Sequence, residues 1–487
     1  MAGAMLKNRW DSVSAGSTVA AQAMHAARLI GAEPELVLHG GGNTSFKETR
    51  GRRRVLHVKG SGANLADVTE RDYVAIDLDP LLPLLQGLDL DNQAMHAALA
   101  RHVLAPAEAR PSIETLMHAG LPYPHVLHTH AAAVLAMSNT VGADRHLAAA
   151  FGERAPVVPY RHSGAALARA CVAAHAGGTV SARGLVLAHH GLVAWGDSAQ
   201  AAYEATLELC ERANRYLDAR GAARPGQEAM AASPLSPKAM VAIAEIRAAA
   251  CRIAGRKLVA TVRNGAAISA FARRHDVATL TAHGPSTPGH AIHTKRVPLI
   301  GADVAAFASC YRAYLGGAVT IDCAPRIVLD PGFGMLALGV TKQYADIAAD
   351  IFIHDAAIMA RVAAYDSYTT ISAKDMRAAE LEYAGHEDRV ARELPLAGQV
   401  HVIERTGERS EGIAALLRQG ASVVALDTDA QVAKRFDGHA CLGLAARACD
   451  PAAVLEAIVR AFGGIDVAHT GPDWQQALSP IITPPDA

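Results

Sequence analysis

Aromatic residues are scarce in this sequence, and neither sign of charge is in excess. Phe, Tyr and Trp make up 5% of the 487 residues, so the apolar mass has to come from Ala, Val and Leu. A formal net charge of −1 offers no basic surface to a nucleic acid or another polyanion. Long apolar runs are missing as well, and nothing approaches the ~20 residues that a membrane-spanning helix needs. The opening Met-Ala-Gly-Ala-Met-Leu-Lys-Asn-Arg-Trp lacks an apolar signal core. The seven cysteines, at 171, 210, 251, 310, 323, 441 and 449, are odd in number and include no Cys-x-x-Cys pair. They read as reduced, buried small hydrophobes, and the chain reads as cytoplasmic, with no membrane partner.

What is present suits a globular enzyme, with 51% hydrophobic and 19% charged residues. The length is too great for one core and predicts about two to four domains. An Ala-rich helix is expected over 13–31, then a short strand Glu35–His39 running into a Gly40–Ser45 turn. Strands are expected at Arg54–Val58, Tyr73–Asp77 and His125–His130, with helical stretches at 91–104 and from Ala131. Leu185–Ala188 and Leu192–Trp195 flank a His-His-Gly turn as a hairpin, and Ser198 can cap a long amphipathic helix reaching Arg220. Strands and helices in mixed order predict an α/β layer fold. A Pro- and Gly-rich stretch, 223–237, reads as a linker. It separates a first domain, 1–222, from a middle α/β domain, 234–385, and a βαβ-like unit, 394–487.

The chemistry concentrates in the first of these. In an extended strand, residues i and i+2 point to one side, so His128 and His130 can present two imidazoles to one ion. The His189-His190-Gly191 turn can supply a third, and Ser112-Ile113-Glu114 supplies a carboxylate upstream. Three imidazoles leave a position open on zinc, which is the pattern of a catalytic site. With 23 histidines in the chain, chance alone can give one His-x-His pair; the third histidine and the glutamate give this pair its weight. Gly40-Gly41-Gly42-Asn43-Thr44-Ser45 and Lys59-Gly60-Ser61-Gly62 are glycine turns whose backbone can approach a ligand, with Asn43 and Ser45 adding polar groups.

The order anion loop, anion loop, carboxylate, His-x-His, His-Gly resembles the class II, metal-dependent aldolase/adducin family over roughly residues 13–220. By that resemblance His128, His130 and His190 match the zinc ligands, and Glu114 matches the catalytic acid/base. Asn43, Ser61, Gly62 and Ser112 match positions that hold a sugar phosphate. Ile113 replaces a hydroxyl common in the family, which weakens the phosphate cradle; Lys59 offers charge for a phosphate or carboxylate instead, or is a solvated lysine. The resemblance implies a class II aldolase-like α/β/α domain, a zinc cofactor, a small-molecule substrate and a homotetramer. Its expected reaction is retro-aldol cleavage of a keto sugar or sugar phosphate through a zinc-stabilised enediolate. Decarboxylation of a 3-oxo sugar acid or its phosphate, and a non-catalytic scaffold, are the alternatives.

The whole chain is similar to long rhamnulose-phosphate aldolase/short-chain dehydrogenase fusions. A Gly-x-x-Thr-Pro-x-His segment, Gly284–His290, lies in the middle, with Gly289 where those fusions usually carry an acidic residue. No chemistry is assigned to His290, His293 or Lys295. The last unit departs from its pattern. Its nucleotide loop should read Thr-Gly-x-x-x-Gly-x-Gly, but Glu404, Glu408 and Glu411 stand there and the glycine spacing is lost. No Tyr-x-x-x-Lys follows it. The expectation is a truncated, degenerate Rossmann-like unit that binds no NAD.

Overall fold

The computed structural model describes residues 6–86, 90–105, 109–222, 224, 232–317, 321–382, 384–406, 409–445 and 450–483. Most of the expected linker, with Gly407, Glu408 and Cys449, lies outside them. The chain separates into two compact units. The first takes the chain up to residue 226 together with Ser286–Pro288 and Ala357–Ile371. The second takes 227–285, 289–356 and 372–487. Among the described residues no helix is long and apolar enough to cross a membrane.

The first unit differs from expectation at its start. The single helix over 13–31 is two, Ser12–Ala15 and Val19–Gly31. Gly16, at φ 74°, ends the first, and the Thr18 side chain caps the second by accepting from Ala21 N–H. The strand expected at Glu35–His39 is a run of turns. Its apolar stretch is short and squeezed between Pro34 and three glycines, so Leu36 and Val37 are buried as a plug without a strand partner. Pairing starts later than the sequence suggests, at Asn43. The 40–45 turn is therefore shorter, and Asn43 and Ser45 belong to β1 (Asn43–Arg50).

β1 lies between β2 (Arg53–Lys59) and β4 (His125–Thr129), and β3 (Tyr73–Asp77) flanks β2. β5 (Val157–Val158), β6 (Gly184–Leu187) and β7 (Gly191–Gly196) complete a seven-stranded sheet in the order β3-β2-β1-β4-β7-β6-β5. All its pairs are antiparallel except β5 with β6. Alternate residues of β7 serve opposite faces. Val193 and Trp195 join a core with Leu116, Met117 and Cys171, while Leu192 and Ala194 are buried on the other side. The helix Ala199–Asp218 packs along β7, and Ser198 caps it at 3.1 Å from Ala201 N.

The second unit carries two four-stranded sheets. β8 (Val259–Arg263), β9 (Leu299–Ile300), β10 (Ile327–Asp330) and β11 (Gly334–Gly339) lie in the order β8-β11-β10-β9. β12 (Val400–Glu404), β13 (Ser422–Asp427), β14 (Cys441–Ala445) and β15 (Val467–His469) form a parallel sheet in the order β14-β13-β12-β15. That order, third-second-first-fourth, is the order of half a doubly wound sheet. The architecture is mixed α/β throughout.

Sheet boundaries follow the sequence segments, but the apolar core does not. Val259, Ala260 and Leu336 of the first sheet share one cluster with Val400, Val402 and Val424 of the second and with Ile458 and Phe462 of the helix Pro451–Phe462. Arg247, fully buried, sits at that seam. It donates to the carbonyls of Leu258 at 2.6 Å and Gly398 at 3.1 Å, to Thr483 Oγ1 at 2.9 Å, and to the Asp466 carboxylate.

Candidate active site

β4 is the axis of the site. It pairs Asn43 of β1 with His128 on one side and Val193 of β7 with His128 on the other. The glycine loop before β1 and the hairpin turn before β7 are thus delivered to the same end of β4. Two glycines make that convergence possible. Gly42, at φ 67°, has no room for a Cβ, which would lie 2.7 Å from Val37 Cγ1 and 2.8 Å from the His128 carbonyl. Gly191, at φ 152°, brings the turn so close to β4 that a Cβ would collide with the Thr129 carbonyl.

His128, His130 and His190 meet there. Each can offer a ring nitrogen such that all three lie within 4.8 Å of one another. His128 donates from Nδ1 to the Leu192 carbonyl at 3.0 Å, which fixes the tautomer and turns Nε2 into the cluster. That Nε2 is buried and has no hydrogen-bond partner. Glu114 Oε1 stands 3.4 Å from it and 3.2 Å from His190 Nε2. Burial works to raise the Glu114 pKa, yet His128, His190 and His130 outweigh it and hold the carboxyl below its ordinary range. Burial pushes His128 down to about 4, against the pull of Glu114. A neutral His128 beside an ionised carboxylate suits a divalent cation, which needs both groups deprotonated. An orphaned, buried imidazole nitrogen aimed at two further imidazoles fits such an ion.

The remaining candidates surround this centre with differing freedom. Ser61 and Gly62 are exposed on their loop, which approaches the Gly40 turn and pairs through Gly60 with Pro111. Ser112 is buried, and its Oγ accepts from Glu114 N–H at 3.2 Å. Asn43 Oδ1 accepts from Thr44 N–H at 2.9 Å. Ser45 Oγ is engaged at 2.8 Å with Nδ1 of His118. Lys59 is not solvated; only 1% of it is exposed. Its ammonium donates to the carbonyls of Gly40 at 3.1 Å and Ala63 at 2.6 Å, tying the two glycine loops together. Burial lowers its pKa to about 8, with Glu114 and Asp72 opposing.

Three further side chains neighbour the centre. His118 lies one helical turn after Glu114, fully buried, with Nε2 unpartnered and its pKa pushed by burial to about 3. The i, i+4 spacing was the available signal. His189 turns away from the cluster and pairs through Nδ1 with Asn139 Oδ1 at 2.8 Å. Asn139 carries no signal in the sequence.

In the parallel sheet, the end of β12 is closed by its own side chains. Glu404 Oε2 accepts from Gly471 N–H at 2.7 Å, and Asp427 accepts from Thr406 Oγ1 at 3.0 Å. Glu411 is exposed in the first turn of the helix Ser410–Arg418.

Residues 21–217 match the family model described as Class II Aldolase and Adducin N-terminal domain. Residues 237–387 match Aldolase class II, second domain. Over 401 residues the chain is 28% identical to a Bacillus subtilis (strain 168) protein called uncharacterized oxidoreductase YuxG. That alignment takes in 75% of this chain but 58% of the relative, so the chain spans little more than half of the curated protein it matches. Among solved structures, the N-terminal class II aldolase domain of a conserved protein from Thermoplasma acidophilum is 35% identical. It is matched over 99% of its length and 43% of this chain, with a TM-score of 0.40. L-fuculose-1-phosphate aldolase from Thermus thermophilus is 18% identical over 94% of its length and 42% of this chain, with a TM-score of 0.30.

Proposed function

We propose, for a chain that belongs to the class II aldolase and adducin family, that the first unit is a metal-dependent carbon–carbon lyase. Its reaction is retro-aldol cleavage of a small keto sugar or sugar phosphate. The observation that carries the reading is the set of three imidazoles with nitrogens within 4.8 Å of one another and a carboxylate 3.2 Å from one of them. His128, His130 and His190 would hold a divalent ion, zinc being the usual choice of three imidazoles. When bound, such an ion supplies Lewis acidity to a substrate carbonyl or hydroxyl oxygen.

The protein's own residues do the rest. Glu114, kept ionised by the histidines, is the base. Its carboxylate takes the proton of the hydroxyl that becomes the aldehyde carbonyl as the carbon–carbon bond breaks. It returns that proton to the carbon left behind. The Leu192 carbonyl holds His128 in the tautomer that a ligand needs. The exposed Ser61–Gly62 loop and the Gly40–Gly42 loop can orient the distal end of the substrate. Ile113 packs against the core and offers no donor, so an unphosphorylated substrate is as well suited to the pocket as a phosphate ester.

The test is a panel of sugar phosphates, keto sugars and 3-oxo acids offered to zinc-loaded protein, with aldehyde and carbon dioxide followed separately. Aldehyde release from a keto sugar or its phosphate supports the reading. Carbon dioxide without aldehyde moves the chemistry to decarboxylation. Neither product from any member leaves the scaffold reading in its place.

A further inference from the structure

His189 is held in an unusual conformation beside a candidate ligand. Its φ is 58°, a left-handed value that a residue with a Cβ adopts at a cost of about 1 kcal/mol or more. Such a conformation persists when its surroundings over-determine it. Two residues at the end of the helix Ala132–Ser138 do so. Ser138 Oγ accepts from His189 N–H at 3.3 Å, and Asn139 Oδ1 pairs with His189 Nδ1 at 2.8 Å. The next residue is His190, whose own N–H closes the turn on Leu187 O at 3.0 Å.

Asn139 is fully buried, and it is fixed from three directions. Nδ2 donates to Leu135 O at 3.0 Å and to Ser286 O at 2.8 Å. Its carbonyl accepts from Thr369 N–H at 3.0 Å. Around it, Val141 N–H donates to Ser367 O at 3.1 Å, and Tyr365 hydroxyl donates to Ala136 O at 2.9 Å. Ser286 and residues 365–369 all belong to the first compact unit, although they come from the stretch matched by the second family model.

We infer that Asn139 is a positioning residue that presets His190 as the third metal ligand through the His189 turn, anchored by Ser286 and Thr369 from the second matched stretch. The inference rests on reading the histidine cluster as a metal centre. It makes Ser286 and the segment 365–369, both within the first unit, part of the metal site's support. Groups hydrogen-bonded to a ligand commonly set its geometry, and their loss costs metal affinity; Asn139 acts one residue further out, through His189.

The experiment measures zinc affinity of the full chain by competition with a chromogenic chelator. The variants are Asn139→Ala, His189→Phe and the double substitution. His189→Phe keeps an aromatic ring but removes Nδ1; since His189 is only half-buried, that variant decides the matter if Asn139→Ala does not fold. Each single variant is expected to weaken zinc binding by about tenfold or more. The double variant should lose no more than the worse single one, because both break the same contact. Tyr365→Phe, which loosens the same packing without touching the turn, should leave affinity unchanged. Wild-type affinity in both singles overturns the inference while the metal reading stands. Additive losses, about a hundredfold in the double variant, or an equal loss in Tyr365→Phe, also overturn it. A wild type that binds no zinc removes the metal reading and this inference with it.

Discussion

Replacing Arg247 with Met should destabilise the second unit far more than a change of one side chain suggests. Met fills much of the volume, so the cost is polar. Asp466, 4% exposed at its side chain, loses the guanidinium and keeps only Val400 N–H at 2.9 Å and Lys257 at 3.4 Å. The carbonyls of Leu258 and Gly398 and the hydroxyl of Thr483 lose a donor in the same step. Breaking one side of a buried ion pair costs about 3–5 kcal/mol. The orphaned neutral acceptors relax toward one another, so a total of about 4 kcal/mol is the expectation. With a urea m-value of about 3 kcal/mol/M, the midpoint falls by roughly 1–1.5 M. Trp474 packs against this core and reports the transition by fluorescence once Trp10 and Trp195 are changed to Phe. A loss below about 1 kcal/mol, the value of an exposed pair, would refute a shared core buttressed by Arg247.

Three further outcomes follow from particular side chains. Glu114→Gln should keep zinc and fold but lose turnover by about a hundredfold or more in steady-state assays; loss of zinc instead would make Glu114 chiefly a ligand, and full activity would place the base elsewhere. Lys47→Met removes the donor to the Leu121 and Tyr123 carbonyls at every pH, so its effect on the melting temperature should be most favourable at pH 6 and less so as pH rises to 10. Burial lowers the Lys47 amine to about 7, so below that pH the folded state bears the full cost of a buried cation, and the cost fades as pH approaches the unfolded value near ~10.4. Thermal melts at pH 6, 8 and 10 check the sign, and an effect that grows more favourable with pH contradicts it. The parallel sheet should bind neither NAD nor NADP at micromolar concentration, because Glu404 already occupies Gly471 N–H at the strand ends and Glu411 adds like charge. Calorimetric titration decides this; micromolar binding of either cofactor by the wild-type chain, strengthened by Glu404→Arg, would show that the strand ends still receive a dinucleotide.

The parts of the molecule legible in the sequence are those set by local rules. Period two at the end of β4 brings His128 and, just past the strand, His130 to one ion, and a hairpin with Gly191 at its turn returns His190 to the same strand. Ser198 caps the helix its position suggests. The failures are non-local. Leu36 and Val37 have the apolar character of a strand, but no neighbour is placed to pair with them, so pairing begins at Asn43. Lys59 has the spacing of a ligand-binding lysine, yet two carbonyls from separate loops take up its ammonium. Asn139 depends on Ser286 and Thr369, far along the chain, and no window of sequence contains that relation. The continuous core of the two smaller sheets is hidden for the same reason, since each strand reads as complete by itself.

The proposed chemistry depends on a metal at the three histidines. Elemental analysis of zinc-loaded, exhaustively dialysed protein measures it directly, in the wild type and in His128→Ala/His130→Ala. About one zinc per wild-type chain, and a content near background in the double variant, is the predicted result. Equal metal in both proteins would contradict the account.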